Sequence, residues 1–182
     1  MTADVTVRRV GAREAAARAE VLAQALAELL IDCVEGGASV SFMLPLPREK
    51  ALVFWRDVLD GVVRGERVLL VAENHEDRGQ RIVGTVQLVV SQPDNQPHRA
   101  DIAKMLVHRS ARRCGIAQRL MAAVDVAARE EGKTLLVLDT LSGGDAERLY
   151  DRAGWQRVGV VPKYALMPTG EFCATTFFYK QL

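Results

Sequence analysis

A basic turn offers the plainest chemistry in this sequence. Arg109-Ser110-Ala111-Arg112-Arg113-Cys114-Gly115 separates a predicted strand from a helix that begins at once with Ile116 and Ala117. The first four amides of a helix lack partners within it, and the helix dipole leaves partial positive charge there, so a phosphate accepts several hydrogen bonds at one point. Gly115 lets the backbone come close to such a phosphate. Arg112 and Arg113, with Arg109 as a further candidate, add charge-assisted contacts that suit a pyrophosphate or a ribose 3′-phosphate. The same residues also read as a solvated basic helix start, a common surface feature. Two other phosphate motifs do not apply: no Gly-Lys-Ser/Thr follows the turn, and only one of the three glycines of a dinucleotide fingerprint is present.

The elements that must hold this turn follow from periodicity. Val5 to Val10 predicts a strand, and Leu22, Leu26, Leu29 and Cys33 recur at helical spacing before Glu35-Gly36-Gly37 ends the helix. After Pro45-Leu46-Pro47 a second helix places Ala51, Trp55, Val58 and Val62 on one face and stops at Gly65. Val68 to Ala72 and Ile82 to Val90 predict a hairpin across polar Asn74 to Gln80, and the prolines of Gln92 to Pro97 turn the chain into a third strand over 99–108. The helix from Ile116 carries Leu120, Val124 and Ala127 to Gly132, and Thr134 to Leu138 is a buried strand. Ser142 and Asp145 have the spacing of a capping box, which predicts a helix with Ala146, Leu149 and Ala153 turned inward. Val158 to Val161 and Thr175 to Tyr179 supply a last pair of strands. Helices alternate with strands only in the second half, so the expected class is mixed α/β (α+β) with a partly antiparallel sheet.

Arg112-x-x-Gly115-x-Ala117 is similar to the Gln/Arg-x-x-Gly-x-Gly/Ala signature of the GNAT superfamily of acetyltransferases, and it stands where that fold carries it, between the fourth strand and the third helix. The turn departs from the commoner Arg-Gly-x-Gly form in carrying Arg113 and Cys114. The resemblance covers nearly the whole chain, so it implies one GNAT-like domain over 1–182 whose mixed, largely antiparallel central sheet is flanked by helices on both faces. Within the superfamily the chain looks most like the tabtoxin-resistance enzymes, through Glu35-Gly36-Gly37-Ala38-Ser39-Val40, Arg99-Ala100-Asp101, Lys104-Met105-Leu106-Val107 and Leu138-Asp139-Thr140.

The resemblance implies acetyl-coenzyme A as cofactor and a primary amine as acceptor, with direct attack and no metal. It implies that Met105, Leu106 and Val107 pair with the pantetheine arm like an added strand, and that Arg112, Arg113, Cys114, Gly115, Ile116 and Ala117 hold the pyrophosphate. Ala146-Glu147-Arg148-Leu149-Tyr150 with Gly154-Trp155 resembles the segment that carries the family's general acid, which falls on Tyr150; a half-buried helix tyrosine is the structural alternative. Asp101 and Asp139 lie on strands expected to be neighbours, where a carboxylate could bind the acceptor ammonium or take its proton directly or through water. Both also read as ordinary strand-end acids, and His108 is a further candidate base. Glu35, Ser39 and Phe42 fall in the segment that overhangs the acceptor site in this fold, so they are expected to shape specificity unless they form a plain loop.

Composition narrows the partners. The chain has 182 residues and net charge +1, with 49% hydrophobic and 26% charged residues, which fits a globular domain and lacks the positive field that drives nucleic-acid binding. No apolar run reaches membrane-spanning length, the first residues do not read as a secretion signal, and Cys33, Cys114 and Cys173 suggest neither disulfides nor zinc, so a reducing cytoplasm is expected. The expected acceptor is a small amino-acid-like, antibiotic-like or toxin-like amine. Protein or peptide N-acetylation and a non-catalytic acyl-CoA sensor remain alternatives, and the expected assembly is a monomer or homodimer.

Overall fold

A computed structural model describes residues 5–75 and 81–182. Along the chain run β1 (Val5–Val10), α1 (Ala12–Ala17), α2 (Ala19–Glu35), α3 (Arg48–Val63), β2 (Arg67–Asn74), β3 (Arg81–Val89), β4 (Arg99–Val107), α4 (Ile116–Glu130), β5 (Leu135–Leu141), α5 (Asp145–Arg152), β6 (Gln156–Leu166) and β7 (Phe172–Gln181). A short 3-10 turn, Arg109–Ala111, joins β4 to α4. The β2–β3 connection predicted over Asn74 to Gln80 falls in part on 76–80, outside the described residues. The helix predicted through Leu22 to Cys33 is α2, and a short unpredicted helix, α1, precedes it, the two separated where Arg18 at φ −122° and ψ 22° leaves the helical path.

The strands form one sheet in the order β1-β2-β3-β4-β5-β7-β6. Only β4 and β5 run parallel; the other neighbours are antiparallel. Two apolar layers cover its faces. On one, α2 and α3 pack Leu26, Leu29, Leu30, Trp55 and Leu59 against Leu69 and Val71. On the other, α4 and α5 pack Ile116, Leu120, Val124 and Tyr150 against Leu88, Ala100, Leu136 and Phe178. Side chains of a strand alternate between faces, so each apolar position of the sheet is committed to one layer.

That alternation is broken once in β4. Gln87 pairs with Ala103 but Thr85 pairs with Leu106, so two steps along β3 correspond to three along β4. The extra residue is a bulge, and Lys104 within it has a left-handed φ of 50°. Ala100 and Ile102 before the bulge face the α4 layer; after it Met105 and Val107 face that layer while Leu106 joins the α2–α3 layer.

Pairing of β4 with β5 lasts for only three residues, Arg99 with Leu135, Ala100 with Leu136 and Asp101 with Val137. Beyond them β4 stays with β3, whereas Leu138 to Leu141 stay with β7. The sheet therefore splits between Ile102–Val107 and Leu138–Leu141. The start of α4 is drawn against β3 at Gly84, where a Cβ would stand 3.1 Å from Ile116 Cγ2 and 3.2 Å from the Leu106 carbonyl oxygen. We expect Gly84→Val to destabilise the fold by about 1–3 kcal/mol through overpacking, read as a lower denaturant midpoint at unchanged slope. Gly159→Val, where a Cβ meets nothing within 4 Å, should leave the midpoint within about 0.5 kcal/mol.

Candidate active site

The basic turn lies at the open end of the split. After β4 the His108 side chain accepts the Ser110 amide at Nδ1 (3.2 Å), and the Arg109–Ala111 turn follows. Arg113 then takes a left-handed φ of 63° and Gly115 one of 74°, and α4 starts. Arg112, Arg113, Cys114 and Gly115 are exposed, Ala117 is half-buried, and Ile116 is buried beneath them against Gly84. A Cβ on Gly115 would meet nothing within 4 Å, so glycine is required there by backbone conformation and leaves open space in front of the first α4 amides. Those amides, the dipole of a 15-residue helix and two exposed guanidinium groups make a fit for a pyrophosphate.

Arg109 is not free to join them. Its amide donates to Asp32 Oδ2 (2.8 Å), its Nε donates to Asp32 Oδ1 (2.9 Å), and Glu35 lies 3.6 Å from Nη2. Burial opposes the charge on Asp32, but the hydrogen bonds from the Arg109 amide and side chain outweigh it and hold that carboxyl below its usual range. Asp32 thus clamps the turn to α2. Sequence reasoning passed over it, although a lone acid in Leu29-Leu30-Ile31-Asp32-Cys33-Val34 is a signal of a specific partner. Arg112 Nε donates to the Val107 carbonyl at 3.3 Å, which Cys33 Sγ also approaches at 3.5 Å.

Deeper in the split the two faces of the sheet contribute different groups. Tyr150 is 4% exposed on the α5 face, with its ring 5.8 Å from Phe178 and 5.9 Å from Trp155. Burial, and secondarily the Asp139 carboxylate, push its hydroxyl up to about 12, so it is protonated at neutral pH. Helix α5 is not set by the expected capping box: Gly144 is the N-cap without a side-chain bond, and Ser142 Oγ instead contacts Thr176 Oγ1 at 2.8 Å. Glu147 ties the helix to the sheet, accepting from the Gly143 amide (2.6 Å) and from Thr176 Oγ1 (2.8 Å). Ala146, Leu149 and Ala153 are only partly buried, and Tyr150 is the buried residue of α5.

Asp139 is exposed on the α2–α3 face of β5 and accepts from Thr175 Oγ1 at 3.5 Å. Tyr150 and Asp139 therefore lie on opposite faces of the sheet. Asp101 does not join them. It sits where β4 and β5 still pair, bound to Arg99 Nη1 (2.5 Å) and Gln92 Nε2 (3.2 Å). His108 is held by Ser110, Arg81 and Asp32, and burial lowers its pKa.

The loop between α2 and α3 spans the split on the Asp139 side. Ser39 Oγ donates to the Leu166 carbonyl (3.3 Å) and the Leu44 amide to the Pro168 carbonyl (3.0 Å), which fastens the loop to the β6–β7 hairpin. Ser41 Oγ accepts from Lys104 Nζ at 3.0 Å, which fastens it to the bulge. Of the three loop candidates, Ser39 is a bridge to the hairpin and Phe42 is buried edge-on to Phe54, while Glu35 is exposed beside Arg109. Sequence reasoning quoted Lys104 only as part of its strand. Among the described residues no cluster of His, Cys, Asp or Glu is placed to hold a metal ion, no helix is long and apolar enough to cross a membrane, and the three cysteines are free.

The chain is similar to known proteins. The acetyltransferase (GNAT) domain family matches residues 65–157, just over half of the chain. A Salmonella typhimurium protein provisionally named an acetyltransferase, solved with its cofactor acetyl-CoA, superposes with a TM-score of 0.74 at 18% identity over 98% of this chain and 94% of its own. The ribosomal-protein-alanine N-acetyltransferase of Brucella melitensis gives 0.71 at 21% identity over 97% and 99%. A provisionally named phosphinothricin N-acetyltransferase gives 0.73 at 15% identity over 98% and 99%. At these identities the solved structures share the fold, and the domain match supplies the family: this chain belongs to the GNAT acetyltransferases, enzymes that use acetyl-coenzyme A as acetyl donor.

Proposed function

We propose that the whole chain acts as one domain that acetylates the primary amine of a small amino-acid-like, antibiotic-like or toxin-like molecule by direct attack. The observation that carries this is a buried phenol, Tyr150, and an exposed carboxylate, Asp139, on opposite faces of the sheet beside the opening between β4 and β5, with the carboxylate acting on the phenol through space. Likeness to the phosphinothricin enzyme and to the tabtoxin-resistance sequences supports a small acceptor, and the free cysteines agree with a reducing cytoplasm.

Bound acetyl-coenzyme A supplies an acetyl group already activated as a thioester. The α4 amides, Arg112 and Arg113 would hold its pyrophosphate, and the unpaired edge of β4 at Met105, Leu106 and Val107 would accept its pantetheine arm as an added strand. Asp139 draws the acceptor ammonium to the split and takes its proton, directly or through water. Tyr150 gives its proton to the leaving sulfur, a task for which a hydroxyl that stays protonated at neutral pH is prepared.

Acetyl-coenzyme A at about 100 times its dissociation constant should stabilise the protein by about 2.7 kcal/mol, a rise of roughly 5–10 °C in unfolding temperature for this size. Arg112→Ala combined with Gly115→Ala should remove most of that rise; an undiminished rise would detach the turn from the cofactor. In thiol-release assays Tyr150→Phe should lower kcat by about 10²–10⁴-fold and Asp139→Asn by a similar factor, whereas Asp101→Asn, held by Arg99 outside the split, should cost less than about tenfold. Equal activity of all three variants and wild type would remove the proton-transfer roles. The raised Tyr150 pKa also has a stability sign. The unfolded chain loses this proton near the ordinary tyrosine value and the folded chain near about 12, so stability is present below pH ~10 and lost as pH rises through that window. Wild type should therefore lose up to about 2–3 kcal/mol more than Tyr150→Phe between those limits, measured by denaturant unfolding.

A further inference from the structure

Lys104 occupies the bulge that opens the sheet, and the acetyl-transfer scheme above gives it no part. Its Nζ donates to Ser41 Oγ at 3.0 Å and lies 5.6 Å from the centre of the Phe54 ring. Both ends of that hydrogen bond have left-handed backbones, φ 50° at Lys104 and 76° at Ser41. A side chain with a Cβ is strained in such conformations, which persist where the surroundings hold the residue there and which cluster at ligand sites. Two strained residues joined to each other aim one ammonium at the Asp139 side of the split.

That ammonium is half-buried and has no carboxylate within ion-pairing distance among the described residues. Burial lowers its pKa most, Asp139 acts through space in the opposite sense, and Arg67 adds to the lowering. The neighbouring polar groups on this face are rich in donors. Arg67 Nη1 donates to Gln87 Oε1 at 2.9 Å, which leaves Gln87 Nε2, on a fully buried side chain opposite Ala103, with no hydrogen-bond partner among the described residues. Ser41, having accepted from Lys104, still has its own proton to give. A half-buried cation without an anion is costly, and proteins resolve such charges by pairing them.

We infer that Lys104, supported by Ser41, binds a carboxylate carried by the acceptor, so that the acceptor is a zwitterion whose amine lies toward Asp139. This rests on the acetyl-transfer proposal above and narrows its acceptor to amino-acid-like molecules with a free carboxylate. The charge order across the split, cation on β4 and anion on β5, is complementary to such a molecule. It is not complementary to a polyamine, an aminoglycoside or a peptide amino terminus, each of which would bring its amine without a nearby carboxylate.

The test measures thiol release from acetyl-coenzyme A with the common α-amino acids and with their carboxamides, which keep amine and side chain but lose the negative charge. Wild type should favour acids over amides in kcat/KM by about tenfold or more, mostly through KM. Lys104→Met should bring the ratio to near one, and Lys104→Arg, which restores the charge, should recover much of it. Equal use of acids and amides by wild type, or an unchanged ratio in Lys104→Met, overturns the carboxylate site and leaves acetyl transfer standing. Should no acceptor release thiol, the acetyl-transfer proposal fails, and the site is judged by binding to the coenzyme-A-saturated protein. There the acids should raise the unfolding temperature of wild type more than their amides do, and should not do so in Lys104→Met. No difference between acid and amide overturns the site in that arm as well.

Discussion

The extra residue at Lys104 is the constraint on which the rest of this structure depends. A strand has a period of two, so one inserted residue exchanges the faces of everything beyond it. Without the bulge, Lys104 and Leu106 would follow Ala100 and Ile102 into the α4 layer, and an ammonium would be pressed into an apolar core. With it, Met105 and Val107 continue that layer and Lys104 turns to the opposite face beside Ser41. Bulges also bend and twist the strand that carries them. Once β4 bends with β3, the rigid pairing of β5 with β7 gives β5 no means to follow, and the sheet opens after Val137.

Each side of that opening is fixed by a separate apolar layer. The α4–α5 layer seats Ile116 against Gly84 and Tyr150 against Phe178, which sets both the start of α4 and the position of the phenol. The α2–α3 layer sets the loop that bridges bulge and hairpin through Ser41, Ser39 and Leu44. Asp32 joins the two systems, since it belongs to α2 and holds Arg109 of the turn. A few short polar contacts thus relate the basic turn to the loop between α2 and α3.

Electrostatics then divides the work between the faces. The Tyr150 hydroxyl is kept neutral chiefly because water cannot reach it, with Asp139 adding to the same effect. Lys104 is pushed toward neutrality by burial and pulled back by Asp139. Asp139 therefore acts on the proton affinity of both neighbours while remaining exposed itself.

Local chemistry was legible in the sequence by itself. Periodicity located the strands and the main helices, and the run from Arg109 to Gly115 marked a basic glycine turn at a helix start, because its residue types act through backbone and charge, both local properties. Tyr150 was marked by the resemblance of Ala146 to Trp155 to a family segment, and Asp139 by its place at the end of an apolar strand. Tertiary structure alone decided what depends on partners far along the chain. The insertion of β7 between β5 and β6 is such a case, as are the capture of Arg109 by Asp32 and the placement of Phe42 in a core. Ser142 shows the same limit: its capping spacing was outweighed by a hydroxyl contact to Thr176, which lies 34 residues away. The bulge is the clearest instance, since Lys104-Met105-Leu106-Val107 reads as an unbroken strand and only pairing with β3 reveals the surplus residue. A strand's register is a property of two segments, so one segment cannot encode it alone.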